Sequence, residues 1–156
     1  MEKILDKYCI KWVAAAEIVG IAAGLLTRDG MDVYNASAIK PAVTPPDWVF
    51  PVVWTVLYAL MGIGACIVSR TSNEKSCGIN LFVVQLIVNF FWPLIFFNAQ
   101  AYGFALAWLV LLWILVLAMT ICFYKTKPIA GWLQLPYLIW LTFAAILNAM
   151  VWLLNS

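Results

Sequence analysis

Aromatic side chains recur at four-residue spacing in two apolar stretches of this 156-residue sequence. Phe50, Trp54 and Tyr58 form one series, and Trp140 and the small Ala144 belong to a second series near the C-terminus. Residues four apart on a helix lie along one slowly turning side, so each series presents a flat aromatic wall. Indole and phenol rings stack on flat ligands, and an indole N–H donates one directed hydrogen bond. The two series therefore predict a pocket for a large, planar, mostly apolar molecule.

A few polar side chains within the apolar stretches are candidates for directed contacts. Gln85 and Asn89 stand four residues apart, followed by Trp92, so both amides face one side of a helix. Such amides serve either as hydrogen bonds between helices or as ligand contacts. Glu17 is the one carboxylate within an apolar run. A charge there costs on the order of 3 kcal/mol on insertion scales, so Glu17 should face the interior, be protonated or find a partner.

Small residues follow the same four-residue spacing around Glu17. Ala16, Gly20 and Gly24 form a stripe that lets another helix or a flat ligand approach the backbone closely. The same stripe is a candidate surface for self-association. The sequence leaves the oligomeric state open between a monomer and a homodimer.

The sequence contains no histidine, and this excludes several kinds of site. A histidine-ligated haem iron, a Ser-His-Asp triad and most zinc sites all need an imidazole. No G-x-x-x-x-G-K-[ST] loop is present to hold nucleotide phosphates, and no basic stripe is dense enough for nucleic acid. We predict no metal, no resident cofactor and no nucleic-acid partner.

The elements that carry these residues are predicted to be membrane-spanning helices. Apolar residues make up 66% of the chain and charged residues 10%, whereas a soluble domain has roughly 25% charged residues. Five apolar runs each approach the roughly 20 residues that cross a bilayer as a helix. We predict an all-α membrane protein in which residues 1–156 form one domain, a bundle of five transmembrane helices at about 10–27, 45–69, 78–97, 103–124 and 128–154.

A long polar segment, residues 28–44, separates the first two predicted helices. Connections are usually roughly 4–6 residues, and much longer ones are often lids or binding loops. We interpret the segment as a folded lid over the aromatic pocket, with a plain connector as the alternative. Thr44 is placed to cap the second helix, with Pro45 in the first turn and Asp47 completing a capping box. Pro51 then falls inside the helix and should bend it.

The basic residues divide unevenly between the two sides of the predicted bundle. The side opposite the N-terminus holds only Arg28 and Lys40. Because positive loops stay in the cytoplasm, we predict that the N-terminus is cytoplasmic and that the C-terminus and first loop lie outside. The N-terminal side holds the other basic residues: Lys3, Lys7, Lys11, Arg70, Lys75, Lys125 and Lys127.

The four cysteines show no spacing typical of a metal site. They are Cys9, Cys66, Cys77 and Cys122. Buried thiols behave as small apolar residues, and we predict that role for all four.

Several short motifs occur along nearly the whole chain: Lys40-Pro41, Thr44-Pro45-Pro46, Trp48-Val49-Phe50-Pro51, Trp54-Thr55, Leu57-Tyr58, Leu135-Pro136-Tyr137-Leu138-Ile139-Trp140 and Leu147-Asn148. Together they resemble the TspO family, the tryptophan-rich sensory proteins related to the mitochondrial translocator protein. The resemblance implies a five-helix protein of the lipid bilayer, here of a bacterial cell membrane. It also implies that the partner is a porphyrin or a drug-like apolar ligand.

Motif matching carries the family's ligand-cavity positions onto seven residues: Tyr34, Trp54, Tyr58, Asn89, Trp92, Trp140 and Ala144. In some bacterial members two cavity tryptophans support light-dependent oxidative breakdown of protoporphyrin, and these match Trp54 and Trp140. The chain departs from the family's sterol-recognition pattern, with Ala149 and Leu153 where a tyrosine and a basic residue are expected.

Three functions are therefore considered, in order of preference. The first is a membrane receptor or sensor that binds porphyrin-type tetrapyrroles and similar flat ligands. The second is an enzyme that degrades protoporphyrin in the light, with Trp54 and Trp140 as redox participants. The third is a transporter of small molecules with Glu17 as its coupling acid. Transport ranks last because nothing in the sequence marks two alternating gates.

Overall fold

The computed structural model describes residues 6–72 and 76–156, and every regular element in these ranges is helical. Five stretches are long and apolar enough to cross a membrane, which confirms the predicted all-α membrane fold. They are α1, α3, α4 with its π-helical continuation, α5, and α6 together with α7. The helices are α1 Lys7–Leu26, α2 Arg28–Ser37, α3 Val49–Thr71, α4 Cys77–Pro93 continued by a π-helical turn Leu94–Asn98, α5 Tyr102–Thr126, α6 Pro128–Trp132 and α7 Leu135–Leu154.

Side chains at two helix starts satisfy backbone N–H groups that have no partner within the helix. The Asp6 carboxylate accepts hydrogen bonds from the backbone of Tyr8 and Cys9, at 3.1 and 3.0 Å, and so caps α1. Ser76 caps α4 in the same way. The hydrogen bond from the Cys9 N–H lowers the pKa of the Asp6 carboxyl, and the hydrogen bond and charge of the paired Arg70 guanidinium also lower it. Asp6 therefore stays ionised and fixes the first turn of α1.

The second span begins later than predicted. Thr44 does not cap it, because its hydroxyl donates to a backbone carbonyl three residues earlier (2.7 Å), and α3 starts at Val49 without a side-chain cap. Each residue before a proline is disfavoured in the helical conformation, so Pro45 and Pro46 hold the chain extended until both have passed. Pro51 consequently lies in the first turn of α3, where its missing N–H breaks no helical hydrogen bond. The interior position predicted for Pro51 is wrong.

The predicted loop and the predicted fifth helix also differ from the structure. The segment 28–44 is helical over α2, and a non-helical segment with turns at residues 42–43 and 47–48 runs over residues 38–48. The fifth span is interrupted at residues 133–134, between α6 and α7. Pro136 lies at the start of α7, where proline favours a new helix. As a result, Trp132 belongs to α6 and is not on the same continuous helix as Trp140.

Helix α5 packs mainly against α4, α6 and α7 and less extensively against α3, whereas α1 packs mainly on α3. The buried side of α5 is a regular stripe with alternating spacings of three and four residues, typical of a helix that faces a core. The stripe consists of Leu109, Leu112, Val116, Met119 and Phe123. No residue of Tyr102–Thr126 lines the cavity described below, and α5 therefore acts as its structural support.

A disulfide joins Cys9 of α1 to Cys66 of α3, with Cα atoms 5.2 Å apart. The prediction that all four cysteines are plain apolar residues is wrong for this pair. Both side chains are nearly inaccessible, at 2% and 0% exposed, so a soluble thiolate cannot reach the sulfurs to exchange with them. Cys77 and Cys122 are free thiols whose Sγ atoms lie 3.4 Å apart.

Candidate functional site

A cavity of about 580 Å³ occupies one half of the helix bundle. Its walls come from the end of α1, the beginning of α3, the end of α4 with its π-helical turn, and α7. These segments meet because successive spans run in opposite directions, which brings them to the same end of the bundle. Residues of α2 and of the non-helical segment 38–48 close that end. Ligand pockets in proteins commonly measure roughly 300–1,000 Å³.

The structure places all seven predicted ligand-binding residues on this cavity. They come from α2, α3, α4 and α7, so the cavity brings together residues that are up to 110 positions apart in the sequence. The seven are Tyr34, Trp54, Tyr58, Asn89, Trp92, Trp140 and Ala144.

Ring contacts within α3, and between α3 and α7, form the aromatic wall. The Phe50 and Trp140 rings meet edge to face with centroids 5.8 Å apart, and the Trp54 and Tyr58 rings are tilted against each other at 5.7 Å. Among the described residues, the buried Trp140 Nε1 has no hydrogen-bond partner. Because this atom is inaccessible, Trp140 offers the cavity ring surface and not its N–H.

A hydrogen-bonded network of four buried side chains lies at the inner end of the cavity. The Tyr58 hydroxyl donates to Asn89 Oδ1 (2.8 Å), Asn89 Nδ2 donates to the Tyr137 oxygen, and the Tyr137 hydroxyl donates to Gln85 Oε1 (2.8 Å). Tyr58 and Asn89 line the cavity, whereas Gln85 and Tyr137 do not. Buried networks of this kind rigidify a core. Both amides thus have partners across helices, and Asn89 also lies on the cavity wall.

A second polar link holds Trp92 in place. Its indole N–H donates to Asn148 Oδ1 (3.1 Å), and Asn148 Nδ2 donates to the Tyr102 carbonyl (2.8 Å). The Trp92 ring also stacks on Phe96 with centroids 5.1 Å apart. Trp92 therefore offers the cavity a ring face, since its N–H is already paired. In the sequence, Asn148 was indicated by the motif Leu147-Asn148 and by its four-residue spacing from Trp140 and Ala144.

Helix α2 is docked onto the bundle through Tyr34. The Tyr34 ring contacts Phe96, Phe97 and Tyr102, with centroid distances of 5.4, 5.3 and 6.3 Å. Burial, together with the nearby Tyr102 and Asp47, raises the pKa of Tyr34 from its ordinary value of 10.0 to about 12. The phenol thus stays neutral at physiological pH, as its packing among rings requires.

The cavity mouth carries charged residues that were not predicted as site residues. Arg28, Asp32, Lys40 and Asp47 all line it. Lys40 Nζ donates to Asn35 Oδ1 (2.6 Å) and lies 5.3 Å from the centre of the Tyr34 ring. Arg28, Asp32 and Lys40 lie within the predicted lid, residues 28–44, and Asp47 lies just after it. Sequence spacing does not tell which polar residues of such a segment turn inward.

Three residues of α1 complete the wall. Glu17, Gly20 and Gly24 all line the cavity. At Gly20 a Cβ atom would lie 2.3 Å from the Tyr58 ring, whereas at Gly24 it would meet nothing within 4 Å. The small-residue stripe therefore lets the Tyr58 ring lie directly on the α1 backbone.

Comparison with known proteins shows which family the chain is similar to. The family model described as TspO/MBR family matches residues 12–153, which include every cavity residue named above. The tryptophan-rich protein TspO of Chlorobaculum tepidum is 37% identical over 140 residues, covering 88% of this chain and 89% of that protein. Protein CrtK of Rhodobacter capsulatus is 40% identical over 119 residues, 74% of each chain. The translocator protein of Homo sapiens is 38% identical over 123 residues, 76% of this chain and 73% of that protein.

Proposed function

The chain belongs to the TspO/MBR family, and on that premise we propose that it is a membrane receptor for porphyrin-type tetrapyrroles and similar flat apolar ligands. One observation carries the proposal. Seven residues chosen from the sequence, on four separate elements, line a single cavity of about 580 Å³. A cavity lined mainly by rings, with a few convergent polar groups, is typical of sites for large apolar ligands.

The arrangement of groups fits the two parts of such a ligand. Trp54 and Trp140 offer ring faces and edges for a flat macrocycle, and the Asn89 amide lies on the same cavity wall. The cations Arg28 and Lys40 lie at the mouth, where peripheral acid groups of a tetrapyrrole would meet water. The ligand would thus bind with its apolar body inside and its acid groups at the mouth.

Titration of the purified protein with protoporphyrin, followed by tryptophan fluorescence quenching, tests this proposal. We expect saturable binding that weakens about 3- to 10-fold in Trp54→Ala and in Trp140→Ala, because each loses an aromatic contact of roughly 0.5–1.5 kcal/mol. Trp132→Ala is the matched control, since Trp132 is 58% exposed and lies on α6 away from the cavity. Equal affinity in all four proteins would contradict the proposal.

Light-dependent oxidative breakdown of bound porphyrin is a second candidate function. It is favoured by a series of oxidisable rings that leads inward from the cavity. Trp54 contacts Tyr58 at 5.7 Å and Tyr137 at 6.2 Å, and both tyrosines belong to the buried network. Illumination of the complex separates the two functions. If Trp140→Phe binds protoporphyrin normally but bleaches it more slowly than the unchanged protein, the tryptophan takes part in the chemistry.

We further propose that the protein lies in a cell membrane with its N-terminus in the cytoplasm and the cavity mouth outside. Arg28 and Lys40 lie at the mouth. Cytoplasmic ends of membrane proteins carry the excess of lysine and arginine. Lys3 and Lys75 belong to the same prediction and fall outside the described residues. The basic residues at the other end that the structure describes are Lys7, Lys11, Arg70, Lys125 and Lys127.

A further inference from the structure

The carboxylate of Glu17 stands on the wall of the cavity with no positive partner among the described residues. Glu17 lies mid-way along α1, a membrane span, and is half-buried against the cavity. Across residues 6–72 and 76–156, no salt bridge or hydrogen bond to the Glu17 carboxylate is formed. A carboxylate at this depth is costly unless it is neutralised or paired. Within the described residues Glu17 is therefore either protonated or open to a positively charged partner that is not part of the protein.

Among the described residues, the cations nearest in sequence or on the same cavity form no salt bridge with Glu17. Nine residues, roughly 14 Å of helix, separate Glu17 from the end of α1, and Arg28 follows beyond that point. Lys40 is bound to Asn35 and lies over the Tyr34 ring. Lys11, about 9 Å along the helix in the other direction, has its Nζ 4.2 Å from the centre of the Tyr8 ring.

Aromatic rings surround the space that Glu17 faces. Gly20, one turn further along α1, lies directly against the Tyr58 ring, and Tyr58 is close enough to Glu17 for an electrostatic interaction. Trp54 follows on the same face of α3 and contacts Tyr58. A positively charged nitrogen at this place is attracted by the charge of the carboxylate and, separately, by cation–π contact with the neighbouring rings.

We propose that Glu17 is the counter-ion for a protonated nitrogen of the ligand, so that the cavity prefers flat aromatic molecules that carry a basic nitrogen over neutral ones of equal shape. This inference rests on the proposed binding of flat ligands in the cavity and adds a selectivity to it. The ring system stacks against Trp54 and Tyr58. The protonated nitrogen lies within reach of the Glu17 carboxylate.

Two planar probes of nearly equal shape test the inference. At mildly alkaline pH acridine is neutral and 9-aminoacridine is cationic, and binding of each is measured by equilibrium dialysis against the purified full-length protein. We expect 9-aminoacridine to bind about tenfold more tightly than acridine, the scale of a desolvated cation–π contact with an adjacent charge. In Glu17→Gln the ratio should fall close to one while acridine affinity changes less than about twofold. Glu17→Asp should keep part of the preference.

Asp29→Asn is the matched control, because Asp29 is an exposed carboxylate on α2 that does not line the cavity. Its ratio should equal that of the unchanged protein. The inference is overturned if the unchanged protein binds both probes equally, or if Glu17→Gln keeps the preference. In either case saturable acridine binding would leave the proposed function standing. Absence of binding by acridine, 9-aminoacridine and protoporphyrin alike would remove both.

Discussion

At the scale of single residues, two glycines of α1 lie on the same cavity wall and differ in what surrounds them. A Cβ at Gly20 would lie 2.3 Å from the Tyr58 ring, and one at Gly24 would meet nothing within 4 Å. Gly20→Ala therefore forces the Tyr58 ring to move, and overpacking of this kind costs roughly 1–3 kcal/mol. The displaced ring also strains its hydrogen bond to Asn89.

We expect Gly20→Ala to lower the thermal unfolding temperature in detergent and to weaken protoporphyrin binding. Gly24→Ala, four residues on, is the control and should be neutral or stabilising by about 0.5–1 kcal/mol, since alanine favours a helix more than glycine does. Differential scanning fluorimetry and the quenching titration give both quantities. Equal effects of the two substitutions would show that the close contact between Gly20 and Tyr58 has no energetic role.

Spacing in the sequence was sufficient to find side chains that repeat along one helix face. Trp54, Tyr58 and Trp140 were found in this way, because helical period is a local property. Spacing did not predict which side chains on other helices these residues contact. The Trp92–Asn148 hydrogen bond joins residues 56 positions apart, and it depends on how the separate helices α4 and α7 are placed in the bundle.

At the scale of elements, the side chain of Asn155 joins the non-helical segment 38–48 to the end of α7 by two hydrogen bonds. Asn155 Oδ1 accepts from the Ile39 N–H and Asn155 Nδ2 donates to the Ile39 carbonyl, both at 2.9 Å. Each such bond contributes roughly 0.5–1.5 kcal/mol net. The segment carries Lys40, Thr44 and Asp47 of the cavity mouth, so Asn155 holds the mouth in shape.

Asn155→Ala should free this segment without unfolding the bundle. We expect faster amide hydrogen exchange in peptides covering residues 38–48 and a several-fold faster dissociation of protoporphyrin, because opening of the mouth costs less. The neighbouring Ser156→Ala serves as control, since Ser156 makes a single long contact of 3.4 Å with the chain. Unchanged exchange in Asn155→Ala would mean that the mouth is held by other contacts.

Hydropathy predicted the five spans, but it did not predict that the second span begins at Val49 or that the fifth span is divided into α6 and α7. The number of apolar residues needed to cross a bilayer is set by its thickness, so the spans could be read from composition. The start of α3 depends on backbone restrictions imposed by Pro45 and Pro46 in tandem. The break at residues 133–134 is stabilised by tertiary contacts, including the bond from Gln134 Nε2 to the Leu60 carbonyl.

The disulfide between α1 and α3 is an element-scale feature that the sequence did not predict. A bridge requires close Cα atoms, here 5.2 Å apart across 57 residues, and no spacing rule supplies that distance. In denatured, unreduced protein we expect two of the four cysteines to react with iodoacetamide, and four after reduction. Mass spectrometry counts them. Four reactive thiols before reduction would contradict the bridge.

Removal of the bridge should also destabilise the protein. Replacing Cys9 and Cys66 together by alanine is expected to lower the free energy of unfolding by roughly 2–4 kcal/mol, the usual effect of a native disulfide. The matched control replaces Cys77 and Cys122, which are also a neighbouring pair but carry free thiols. That control should unfold within about 1 kcal/mol of the unchanged protein.

At the scale of the whole molecule, an odd number of spans places the two ends of the chain on opposite sides of the membrane. The cavity mouth, α2 and the C-terminal Asn155 share one side, since Asn155 is bonded to the segment after α2. The free thiol of Cys77 lies at the start of α4, on the side of the N-terminus. The chain therefore carries its own reporter of orientation.

A membrane-impermeant maleimide applied to whole cells and to opened membranes tests the proposed orientation. In a Cys122→Ser background, Cys77 is the single free thiol among the described cysteines and is exposed. With the N-terminus in the cytoplasm, Cys77 should react only after the membrane is opened. Ser37→Cys, an exposed position at the end of α2, should react on intact cells once Cys77 and Cys122 are both serine. The reverse pattern would place the cavity mouth in the cytoplasm, so that ligands would have to reach it from inside the cell.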